Sequence, residues 1–119
     1  MKADRYAKHQ AENDAKALDS LARYSKKAIP KKIDTVPQEL EIMREMLLAI
    51  TANELDYAEV KPMILYVAHR DEAFNEYLLN ELDDVFVQKF ADTIDTFVKM
   101  DPDLEHDIEV ACDPMWFGK

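Results

Sequence analysis

Glycine occurs once in the 119 residues, cysteine once and proline five times. A β-rich fold of this length would need more glycine for its turns, so the shortage favours a helical architecture with few turns. With a single glycine, neither a Gly-x-x-x-x-Gly-Lys loop nor a Gly-x-Gly motif can be written, which excludes ATP use through a P-loop. The lone cysteine, Cys112, cannot form an intrachain disulfide, and that fits a reducing cytosol. It lacks a neighbouring base and reads as a small packing residue. His9, His69 and His106 are far apart, and neither His-x-x-x-His nor Cys-x-x-Cys occurs, so zinc and haem signatures are missing. Long apolar runs are also missing, so no membrane span is expected. The opening MKADRYAKHQAEND has no apolar core of the kind a signal peptide carries. The expected location is the cytoplasm.

What is present is charge, unevenly placed. Residues 1–32 hold nine Lys/Arg against four Asp/Glu, and residues 33–119 hold six against twenty-one. A surface as acidic as the second part repels nucleic acid. Only the basic residues 1–32 could meet a phosphate backbone. Apolar residues make up 48% of the chain, too many for a disordered polymer and enough for one core.

The pattern predicts an all-α protein, a compact antiparallel bundle of four to six helices. Residues 1–28 read as a basic N-terminal helix, loosely docked because its apolar stripe is thin: Ala7, Ala11, Leu18, Leu21 and Ala22. Pro30 ends it, and 29–36 read as a linker into an acidic bundle domain, 33–119. Thr35-Val36-Pro37-Gln38 has the form of a capping box. The helix after it places Val36, Leu40, Met43, Leu47 and Ile50 on one face. Thr51-Ala52-Asn53-Glu54 repeats the capping pattern. A third helix, apolar nearly all round, is expected to start near Lys61 at Pro62 and to occupy the centre.

Asp71 can cap a long stretch, 72–100, with two apolar faces. Phe74, Tyr77, Leu78, Leu82 and Val85 share one; Phe86, Phe90, Ile94 and Phe97 share another, rotated by roughly 130°. Either the helix breaks near Asp83–Asp84 or a further surface covers the second stripe. Asp101-Pro102 caps a last helix to about Ala111, with Leu104, Ile108 and Ala111 inward. The tail Met115-Trp116-Phe117 is unusually apolar. It either plugs the core or anchors in a partner.

Two carboxylate pairs have spacings that could place them on one helix face, Asp56 with Glu59 and Glu81 with Asp84. Facing one another, they would form an oxygen site for Mg²⁺. The stretch NELDDVFVQKFADTID resembles the Glu-x-x-Asp-Val segment of the all-α nucleoside triphosphate pyrophosphatases, the MazG-like family. The resemblance covers about 45 residues. That family pairs the segment with an earlier Glu-x-x-Glu, where this chain has Asp56-x-x-Glu59. It implies a magnesium-dependent pyrophosphatase with Asp56, Glu59, Glu81 and Asp84 as metal ligands. His69-Arg70-Asp71 has the letters of a kinase catalytic loop, but Asn75 comes one residue too early and no Gly-rich loop exists, so kinase chemistry is excluded.

No catalytic set emerges from the remaining residues. The expectation is therefore a small acidic interaction module: an inhibitor, adaptor or assembly factor of the kind phages encode, bound to a basic protein partner. No cofactor is called for on this reading. The expected partner-binding residues are Asp83, Asp84, Asp92 and Asp95 for steering, with Phe86, Phe90, Trp116 and Phe117 for contact. The alternatives are the magnesium enzyme and a helical component of a nucleoprotein or virion assembly.

Overall fold

The computed structural model describes residues 2–25, 29–30, 33–52 and 54–112, without the side chains of residues 2–9. These residues form an all-α bundle with no strand among them. Helix α1 spans Lys2–Tyr24, α2 Val36–Ala52 and α3 Tyr57–His69. Residues 71–81 form α4 in three parts: Asp71–Ala73, a wider π turn at Phe74–Leu78, and Leu79–Glu81. Helices α5, Asp84–Met100, and α6, Asp103–Cys112, complete the fold.

Helix α3 is the centre, as its all-round apolar sequence predicts. Val60, Met63, Ile64, Tyr66 and Val67 are buried, and α1, α2 and α6 all pack against it. It begins at Tyr57 rather than near Lys61, so Pro62 lies inside the helix. Glu59 and Val60 already donate to the Asp56 carbonyl, which starts the helix a turn early. Pro62 then costs a single backbone donor. Its carbonyl accepts from Asn13 Nδ2 at 3.0 Å, tying α1 to the spot.

Two contacts fix the direction of α1. Asp14 meets Arg70 and Arg23 meets Glu59, so α1 runs antiparallel to α3. Ala17 and Leu21 are fully buried and belong to the same core as α2 and α3. Lys61 pairs with Asp101, just before α6, and with Asp107 in its middle, and Cys112 Sγ donates to the Ala68 carbonyl at its far end. Helix α6 therefore runs parallel to α3, returned to that direction by the α4–α5 crossover.

The capping box at the start of α2 is formed as expected. Gln38 N–H donates to Thr35 Oγ1 at 3.3 Å, and Thr35 N–H donates to Gln38 Oε1 at 3.2 Å. The buried face of α2 is wider than the five-residue stripe: Ile42, Met46 and Ala49 join Met43, Leu47 and Ile50, while Val36 is exposed. The reason is that α2 packs against α4 and α5 as well as α3. Thr51 does not re-cap the chain. Its buried hydroxyl donates back to the Leu47 carbonyl at 2.9 Å and closes the last turn of α2.

Asp71 is not the N-cap of α4 either; Arg70 occupies that position and Asp71 sits in the first turn. The long stretch after it does break, at Leu82–Asp83. Leu82 is extended, and Asp83 caps α5 by accepting from Val85 N–H at 2.8 Å. The π turn, in which Leu79 N–H reaches back to the Phe74 carbonyl, adds a residue to the preceding turn. That rotation keeps Leu78 buried and carries Tyr77 outward. The break lets the second stripe fold onto the chain's own core: Phe86, Phe90 and Ile94 pack against it and Phe97 is buried.

Polar networks pin the helices. The Arg70 guanidinium lies over the Tyr66 ring, 3.6 Å from its centroid. It donates to both Asp14 oxygens, at 3.3 and 2.9 Å, and pairs through Nε with Glu39. Tyr66 O–H donates to the other Glu39 oxygen at 2.8 Å. One cation thus clamps α1, α2 and α3. Burial, and then the Asp14 charge, holds the Tyr66 hydroxyl protonated well above its ordinary range. At the other end, Tyr57 O–H donates to Asp101 Oδ2 at 2.7 Å, and its ring lies 5.3 Å from that of Phe97. The hydrogen bond from Tyr57 lowers the Asp101 carboxyl below the usual carboxylate value.

Candidate binding surface

The six residues of the candidate partner surface that lie in the described part belong to one segment, residues 83–95, which is the N-cap and most of α5. Asp83 is the N-cap and spends one oxygen on Val85 N–H. Asp84, Asp92 and Asp95 are exposed. At 100° per residue these three fall within about 80° of arc. Asp84 and Asp95 are eleven residues apart, about 16 Å along the axis. Asp92 accepts from Gln88 Nε2 at 3.0 Å, one turn earlier on the same arc.

Phe86 and Phe90 are on the other side. By the same count they lie on the face opposite the aspartates, where both are half-buried against the core. The Phe90 ring is 6.2 Å from that of Phe74 on α4. The aspartates expected to steer a partner and the two phenylalanines expected to contact it thus sit on opposite faces of α5. Once the helix breaks at Leu82–Asp83, the stripe can turn inward and the carboxylates outward. Trp116 and Phe117 lie outside the described residues.

The carboxylates of the magnesium alternative are dispersed. Glu59 pairs with Arg23 at 3.0 Å, and Glu81 pairs with Arg44 of α2. Asp56 is the exposed N-cap of α3. Glu81 and Asp84 do not share a helix, because the extended Leu82 separates the end of α4 from the start of α5. Among the described residues no group of three or more His, Cys, Asp or Glu could hold a metal ion. Cys112 is half-buried, and burial raises its thiol above the ordinary value. Such a thiol is a poor nucleophile at neutral pH.

The clearest feature of the surface is a concentration of acidic residues in the last part of the described chain. Residues 71–112 carry thirteen Asp/Glu and only two lysines, Lys89 and Lys99. Eleven of those carboxylates are exposed. In contrast, arginines from earlier in the chain are drawn into pairs that join helices: Arg23 with Glu59, Arg44 with Glu81, Arg70 with Asp14 and Glu39. The exposed side chains of α4–α6 are thus mostly acidic, with Arg44 of α2 and Lys61 of α3 as cations paired to Glu81, Asp101 and Asp107. Among the described residues, no helix is long and apolar enough to cross a membrane. No family model matches the chain, nor does any curated protein or solved structure.

Proposed function

We propose that this chain is an interaction module whose α4–α6 side binds a basic partner protein, acting as an inhibitor, adaptor or assembly factor. One observation carries the reading: eleven exposed carboxylates with two lysines among them on residues 71–112. A field of one sign raises the encounter rate with an oppositely charged partner and disfavours nucleic acid. The acidic arc of α5 is well suited to this role, because its opposite face is fixed in the core and its orientation is rigid.

The test begins with an affinity pull-down from the native host and identification of stoichiometric partners. Association with the recovered partner is then followed by stopped flow at several salt concentrations. Replacing Asp92 and Asp95 together by Lys should slow association about tenfold at low salt and flatten its salt dependence, with an unchanged circular dichroism spectrum. An unaltered rate and salt slope would remove α5 from the interface.

A further inference from the structure

Three helices leave a cavity between them at one end of the bundle. Its volume is about 350 Å³, and α1, α3 and α6 each supply part of its wall. Leu65, Val110 and Ala111 give it an apolar side, and Gln10, Asp14 and Asp107 are among its polar residues. Pockets that receive small ligands measure about 300–1,000 Å³ and are mostly apolar, with a few polar groups that fix orientation. A site of this size and lining suits one aromatic side chain with a polar edge.

The cavity lies where the described chain comes to its last residues. Val110 and Ala111 belong to the final turn of α6, which ends at Cys112. Cys112 Sγ donates to the Ala68 carbonyl at 3.3 Å, so the end of α6 is held against the end of α3. The next residues in the sequence are Asp113-Pro114-Met115-Trp116-Phe117. An Asp-Pro pair favours a turn, and the residue before a proline is biased away from the helix. Trp116 is four residues beyond Cys112, so chain length keeps it within about 14 Å of that residue. The α6 wall of the cavity, Asp107 to Ala111, is about 6 Å long. No described residue of α6 lines the two further cavities, which lie where α1 meets residues 29–36.

We infer that Trp116 seats in the cavity between α1, α3 and α6, which makes the segment after α6 an intramolecular ligand of the bundle. Side chains alternate along an extended segment, so Trp116 opposes Met115 and Phe117, and one set alone can face inward. Tryptophan is the better match. Its rings suit the Leu65, Val110 and Ala111 side, and its N–H needs an acceptor once buried. Gln10 offers an amide oxygen, and Asp107 spends one of its two oxygens on Lys61. Methionine and phenylalanine have no donor to use them. A seated Trp116 bridges α1 and α6, both of which pack on α3. It is then an internal plug and not an anchor for a partner. This inference goes beyond the basic-partner reading and does not depend on it.

Trp116 is the only tryptophan, so its fluorescence reports on this position alone. In the folded protein its emission should lie to the blue of its emission in urea, and acrylamide should quench it several-fold more slowly. Both properties should persist on dilution. Nuclear Overhauser contacts should join the indole protons to methyl groups of Leu65, Val110 or Ala111. Trp116→Ala should shift backbone amide resonances of residues 10–14, 65–69 and 107–112 and leave those of α5 in place. Equal emission and quenching in the folded and unfolded protein would overturn the inference, as would indole contacts to other residues. Blue emission that is lost on dilution also overturns it, and assigns the indole to a second copy of the chain. If Trp116→Ala does not fold, the fluorescence and Overhauser measurements on the parent protein decide alone.

Discussion

Replacing Arg70 by Met tests the clamp that joins α1, α2 and α3. The side chains of Arg70, Asp14 and Glu39 are 20%, 21% and 18% exposed, so the pairs are mostly removed from water. Met keeps much of the apolar stem but leaves two carboxylates facing each other without a cation. Breaking a buried pair from one side costs about 3–5 kcal/mol. The one-fifth exposure allows partial rehydration, which brings the expected loss to about 2–4 kcal/mol. Loss of the contact with the Tyr66 ring is part of that figure. For a domain of this size each kcal/mol moves the midpoint by about 3–5 °C, so Tm should fall by about 6–20 °C. Thermal and urea unfolding followed by circular dichroism measure both quantities. Two controls separate the clamp from simple packing. Arg70→Lys keeps the charge but loses the fork, and should recover only part of the loss. Arg70→Met combined with Asp14→Leu and Glu39→Leu removes the stranded charges and should be more stable than Arg70→Met alone. If Arg70→Met unfolds within about 0.5 kcal/mol of the parent, the clamp does not hold the bundle together and the reasoning fails.

Alkali should destabilise the fold through two phenols, buried Tyr66 and half-buried Tyr57. Tyr57 and Tyr66 both have raised pKa values against an ordinary value of 10.0, chiefly from burial. The folded state therefore keeps protons that the unfolded chain loses; this contribution is complete below about pH 10 and declines as pH rises above it. Absorbance at 295 nm should show two of the five tyrosines ionising only as the protein unfolds, and Tyr57→Phe with Tyr66→Phe should flatten the alkaline limb of stability. Asp83→Ala should cost about 1 kcal/mol, because Val85 N–H loses its acceptor at the start of α5. Asp83→Asn should restore most of that in urea unfolding, and equal loss in both variants would show that the cap is not the cause.

The helices were largely legible because their signals are local. Thr35 and Gln38 carry a capping box within four residues, and Asp101-Pro102 caps α6 from Asp103. The central place of α3 was legible from a sequence apolar on nearly every side. Signals that depend on a neighbour were not. Pro62 looks like a helix start until Glu59 and Val60 are seen bonded to the Asp56 carbonyl. Thr51 has the letters of a cap, but its hydroxyl is used by the Leu47 carbonyl. The π turn at Phe74–Leu78 has no composition signature, so the outward rotation of Tyr77 was unreadable. The opposition of Asp92 and Asp95 to Phe86 and Phe90 could have been counted from the sequence. What could not be counted was which neighbour the aromatic face would meet. The Arg70 clamp links residues 14, 39 and 70, and no short-range pattern announces a contact across such separations.

The segregation of charge has a consequence for how this protein responds to its medium. The eleven exposed carboxylates of residues 71–112 repel one another wherever they stand within about a Debye length, about 8 Å at physiological ionic strength. The free bundle therefore carries a self-repulsion that opposes its compact state and weakens when salt is added. A cationic partner would relieve the same repulsion by neutralising it at fixed positions. On the proposed reading, association and conformational stability are then two expressions of one electrostatic quantity. Simple ions, by contrast, act on them with opposite sign: they would steady the free bundle while competing with the partner for its surface.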